Sequence, residues 1–111
     1  MKIKVLIKRP DEEYGHITWI SNTLKNLQGI VDGYIEVTAP KRDFVIICNE
    51  DGKNLGLEPN IFLGGDMIVG TIIVCGTKDD EFCNIPITFD RWKRIVDMSG
   101  TKLEKEIWQN R

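Results

Sequence analysis

The stretch Asn49–Gly76, NEDGKNLGLEPNIFLGGDMIVGTIIVCG, constrains the fold most: it holds six of the ten glycines and the most apolar run of the chain. Met67–Cys75 is almost continuously apolar and β-branched, as a strand buried on both faces must be, and predicts a central strand. Gly70 inside it predicts a bulge or a close backbone approach. Upstream, Asp51-Gly52 separates two extendable runs, Phe44–Cys48 and Lys53–Leu57. That arrangement predicts a two-residue type I′ hairpin, whose central residues both need positive φ. Pro59 fixes its own φ and biases Glu58 toward extended geometry, so Leu57–Asn60 is read as a turn. Gly64-Gly65-Asp66 is a second break.

The flanking segments supply the remaining elements. Ile3, Val5 and Ile7 alternate with Lys2, Lys4 and Lys8, with Leu6 the exception, which predicts a strand with one buried face. Ile17 and Trp19 fall in a second strand antiparallel to it. Ile20, Leu24, Leu27 and Val31 form one helical stripe after a cap at Ser21 or Asn22. Gly29 costs that helix about 1 kcal/mol relative to Ala, and Gly33 stops it. Tyr34–Thr38 is a further strand, and Phe82–Ile87 a last edge strand ended by Pro86. Thr88 caps a helix that turns Phe89, Trp92 and Val96 inward. Thr101 and Glu104 form the capping box of a final short helix with Leu103, Ile107 and Trp108 on its apolar side. The expected fold is α+β: a mainly antiparallel sheet of five or six strands with one to three helices packed on it. Residues 1–99 form the compact domain and 100–111 a helical extension.

A chain of 111 residues buries enough surface for one self-supporting core. Its formal net charge of −2 gives no electrostatic basis for direct nucleic-acid binding. Three cysteines without CxxC spacing argue against a disulfide framework or a zinc knuckle and fit a reducing cytoplasm. The N-terminal apolar stretch, interrupted by Lys4 and Lys8, is too short for a signal peptide or a membrane span.

The chain resembles the phage- and plasmid-borne proteins grouped as domain of unknown function 3846. The resemblance rests on Thr23-Leu24, Leu27-Gln28, Val31–Glu36, Cys48–Lys53, Leu55–Leu57, Pro59-Asn60, Leu63–Asp66, Ile68–Thr71 and Val74–Gly76, in that order and spacing. It departs from the family pattern at Asp32, where a second Gly is expected, and at Ile61, where a basic residue is expected. Residues from Gly100 onward lie outside the resemblance. It implies an origin on mobile genetic elements and no particular reaction.

The single histidine, His16, has no evident nucleophile to serve, and no metal-binding motif occurs. The expectation is a non-enzyme without cofactor or metal. Gly64-Gly65-Asp66 is the sharpest local feature, because backbone N–H groups at a glycine-rich turn can cradle an anion; two glycines also simply permit a tight turn. With Asn49, Asn60 and Thr71 they make the expected ligand-binding set. Ile107 and Trp108 are the expected interface. The resulting expectation is a homo-oligomeric accessory protein in the host bacterium's cytoplasm. It binds a small anionic, nucleotide-like signal and counters host defence. Inhibition of a host defence protein through direct contact is the alternative.

Overall fold

A computed structural model describes all 111 residues. The chain runs β1 (Lys2–Lys8), β2 (His16–Ser21), α1 (Leu24–Val31), β3 (Ile35–Thr38), β4 (Val45–Asn49), β5 (Pro59–Leu63) and β6 (Asp66–Val69). It continues through β7 (Ile72–Lys78), β8 (Glu81–Cys83), α2 (Phe89–Met98) and α3 (Thr101–Gln109). One antiparallel sheet has the order β2-β1-β7-β4-β3, with β8 pairing the far part of β7; β5 and β6 form a separate hairpin. The α+β expectation holds.

The strand alternation sends side chains to two cores. Val5, Ile7, Val45, Ile47, Ile73 and Cys75 pack under Leu27 and Val31 of α1. Leu6, Ile46, Cys48, Ile72 and Val74 pack under the hairpin (Ile61, Leu63, Ile68) and α2 (Trp92, Val96). Each such side chain removed from water contributes about 1.5–3 kcal/mol. β7 is buried from Ile72 to Gly76 because helices and the hairpin cover both of its faces.

Several expectations are corrected. Met67–Cys75 is not one strand. Gly70, at φ +76°, turns the chain so that residues 66–69 join the hairpin while 72–78 form the sheet's middle. Its N–H donates to the Glu58 carbonyl at 2.8 Å, which fixes the break. Asp51-Gly52 is not a type I′ hairpin, since neither residue has positive φ. Asn49 Oδ1 accepts from the Asp51 N–H instead, and the Leu55 and Leu57 amides donate back to Asp51 and Gly52, coiling residues 50–56 into turns. The segment read as a turn at Leu57–Asn60 starts β5, with Pro59 at the first strand position, where a missing donor is tolerated. The two-residue hairpin turn is Gly64-Gly65, with φ of +61° and +76°.

The helix ends shift as well. α1 is capped by Thr23, whose side chain accepts from the Asn26 N–H, and it closes on Asp32 in the left-handed region, not on Gly33. Thr88 caps α2 as expected. Thr101 does not cap α3: Gly100 does, and the buried Thr101 hydroxyl accepts from the Phe62 amide at 3.0 Å, pinning α3 to β5.

Candidate functional site

β1 begins with lysines in water and ends with one out of it. Lys2 and Lys4 are exposed, but Lys8, on the same strand face as Leu6, is only 1% exposed. Its ammonium donates to Asn60 Oδ1 at 2.9 Å and to the Asn60 carbonyl at 3.3 Å. Asn60, fully buried on β5, returns Nδ2 hydrogen bonds to the carbonyls of Lys8 (2.7 Å) and Gly70 (2.8 Å). Lys8 makes no ion pair. Burial, with the nearby Lys105 charge adding, pulls its pKa down to about 8 against the weaker opposing pull of Glu12 and Asp11.

Lys8 lines a cleft of about 330 Å³ walled by the β1–β2 loop (Glu12, Glu13), the end of α2 (Val96, Asp97) and the start of α3 (Gly100, Thr101, Lys102, Lys105). Gly100 caps α3 without a side-chain acceptor of its own. Ser99 Oγ accepts from the Thr101 amide at 3.1 Å, and no side chain accepts from the Lys102 and Leu103 amides. Lys105 donates to the Pro10 carbonyl at 2.8 Å, and its pKa is lowered by burial. Two of the carboxylates on the facing wall are engaged. Glu12 accepts from the Arg9 amide at 2.8 Å and lies 3.5 Å from His16 Nδ1, and the Arg9 hydrogen bond holds its carboxyl below the usual range. Asp97 accepts from the Tyr14 hydroxyl at 2.7 Å, which raises the phenol pKa. Lys8, Lys102 and Lys105 thus converge with no carboxylate in ion-pair contact with any of them.

Of the residues expected to bind ligand, Asn49 and Asp66 meet in another cleft, of about 280 Å³, between β3, β4 and β6. Glu36, Glu50 and Asp66 outnumber Lys53 there, so its field opposes an anion. Lys53 is paired with Asp66. Asn49 spends its amide on the Val31 and Asp32 carbonyls (3.2 and 3.1 Å) and its oxygen on Asp51, tying α1 to β4. Cys48, beside it, is pushed up to about 11 by burial and then by Glu36. Asn60 lies beneath Lys8 instead. Gly64 and Gly65 form the exposed hairpin tip, and half-buried Thr71 links β6 to β7; these three line neither cleft.

The expected interface residues separate too. Trp108 folds back half-buried, with Lys53 Nζ 5.9 Å and the Arg111 guanidinium 4.0 Å from its ring centroid. Ile107 and Leu103, one turn apart, stay more than half exposed. No group of three or more His, Cys, Asp or Glu side chains converges as a metal site would require. No helix is long and apolar enough to cross a membrane.

Lys8, Lys102 and Lys105 escaped the sequence reading. One signal was present: Leu6 breaks the lysine alternation of β1, marking where the second face passes under cover.

The fold and its clefts define a small α+β protein with an open sheet covered on both faces. The family model described as a domain of unknown function, DUF3846, matches residues 1–97, and the chain belongs to that family. No curated protein and no solved structure matches it. Lys8, Asn60 and Asp97 fall inside the matched stretch; Gly100, Thr101, Lys102 and Lys105 fall outside it.

Proposed function

We propose that the protein is a non-catalytic accessory factor of a phage or other mobile element. In this reading it works in the cytoplasm of the host bacterium as a homo-oligomer, holding a small anionic, nucleotide-like signal away from host defence. The single observation that supports binding is the buried Lys8 ammonium at a cleft wall, hydrogen-bonded to a neutral amide and in ion-pair contact with no carboxylate. An uncompensated interior charge is costly, and an anion is its natural complement. The mobile-element setting follows from the family resemblance alone.

A ligand that binds only the native state raises stability by about 2.7 kcal/mol at a hundredfold excess over its Kd. Purified protein should therefore melt at higher temperature with at least one member of a panel of linear and cyclic nucleotides. A panel without any shift removes the binding reading. A second reading, direct occlusion of a host protein, draws on the exposed Leu103 and Ile107 on α3. A stoichiometric host partner captured equally well with and without nucleotides would favour it.

A further inference from the structure

We infer that the Lys8 cleft is a site for a terminal phosphate monoester on a hydroxylated body, and that α3 completes it. This rests on the binding reading above and narrows its ligand. A lysine ammonium has three hydrogens. Two of those on Lys8 go to Asn60, and the third has no protein acceptor although the residue lines the cleft. Across from it stands the start of a nine-residue helix whose glycine cap supplies no side-chain acceptor. Ser99 Oγ takes the Thr101 amide, but no side chain takes those of Lys102 and Leu103, and such first-turn amides at the positive end of a helix are donors suited to phosphate.

Lys102 in the first turn and Lys105 at the start of the second bring the count of ammoniums outside ion-pair contact to three. A monoester, with a second pKa near 6, is largely a dianion at pH 7, whereas a diester carries one charge. The dianion answers this cluster better. Carboxylates on the opposite wall, Glu13 above all, suit the hydroxyls of a sugar and would repel a second phosphate. A volume of about 330 Å³ lies at the small end of ligand pockets, which favours a pentose phosphate or mononucleotide over a dinucleotide. Because α3 lies beyond the family-matched stretch, this site belongs to members carrying such an extension.

Calorimetric titration of the full chain tests this with ribose 5-phosphate, adenosine 5′-monophosphate, ribose, 3′,5′-cyclic adenosine monophosphate and a cyclic dinucleotide. The two monoesters should bind, and ribose and the cyclic forms should bind at least tenfold more weakly or not at all. Tighter binding of the nucleotide than of the sugar phosphate identifies a nucleotide as the source; equal binding identifies a phosphorylated sugar. Lys102→Gln at an exposed position and Lys105→Gln at a half-buried one, neither in the hydrophobic core, should each weaken monoester binding at least tenfold, while Lys53→Gln in the other cleft should not. Preferential binding of a cyclic nucleotide overturns the monoester inference and leaves the broader function standing. Silence from every compound overturns both. Monoester binding indifferent to Lys102 and Lys105 overturns the assignment of the site.

Discussion

Lys8 and Asn60, 52 residues apart, are joined by three hydrogen bonds: two from the ammonium to the asparagine and one from the amide to the Lys8 carbonyl. They are the polar tie between the main sheet and the β5–β6 hairpin, set beside an otherwise apolar interface.

Replacing Asn60 with Leu should therefore act far beyond the loss of one contact. The change leaves the buried ammonium only the longer bond to the residue-60 carbonyl and the Lys8 and Gly70 carbonyls without their amide donor. Breaking such an arrangement from one side costs about 3–5 kcal/mol, a large share of a typical domain's stability. Urea denaturation measures it, and a loss below about 1 kcal/mol would contradict the assigned network.

Lys8 also makes a pH signature. Its folded pKa of about 8 lies below the ordinary 10.5, so between those values the unfolded chain binds the extra proton and stability rises with pH. The contribution is complete above 10.5 and lost as pH falls through 8, a span of about 3 kcal/mol. Lys105 lowers the pKa further, while Glu12 and Asp11 work against the shift. Cys48 and Cys75, pushed up by burial to about 11 and about 12, act in the opposite sense above pH 9. Comparison with Lys8→Met isolates the lysine. The stability of the parent minus that of the variant should grow by about 3 kcal/mol from pH 7 to pH 10.5, and a flat difference would refute the buried charge.

Two glycine substitutions should move stability in opposite directions. Gly15 sits at φ +85°, and a Cβ there would lie 2.4 Å from the Ile7 carbonyl oxygen and 2.9 Å from Lys8 Cα, backbone that cannot step aside. Gly15→Ala should cost roughly 3 kcal/mol or more, combining left-handed strain with that clash. Gly29 in α1 has nothing within 4 Å of the added carbon, so Gly29→Ala should gain about 1 kcal/mol. Thermal melting of the pair decides both, and a tolerated Gly15→Ala would be inconsistent with the packing of the β1–β2 loop.

What could be read in advance followed local rules. The Thr88 cap and the β-branched run through Ile72–Cys75 depend on residues near one another in sequence, and the structure keeps both. The β1 strand is kept too, but its one-buried-face alternation holds only from Lys2 to Val5, and Leu6 and Lys8 on the second face are buried as well. The hairpin turn went to the wrong glycine. Asp51-Gly52 has the stronger turn dipeptide, but the Asn49 side chain captures the Asp51 amide and coils the loop, leaving Gly64-Gly65 to reverse the chain. Thr101 looked like a cap because its spacing to Glu104 fits one, yet its hydroxyl is claimed by Phe62 across the domain. Lys8 is buried only because β5 and α3, more than fifty residues later, close over the end of β1. No window around it carries that information.

The sheet's middle strand is the seventh of eight to be made, and β1 and β4 each bond to β7 and not to one another. During synthesis the β1–β2 and β3–β4 hairpins therefore emerge with bare inner edges, and each stays open until residue 78 has left the ribosome. At 5–20 residues per second that interval lasts roughly 1.5–6 s after β4 is complete. Exposed inner edges are templates for pairing with other chains, so a stop anywhere between Asn49 and Lys78 should yield a sticky fragment with no cooperative melting transition.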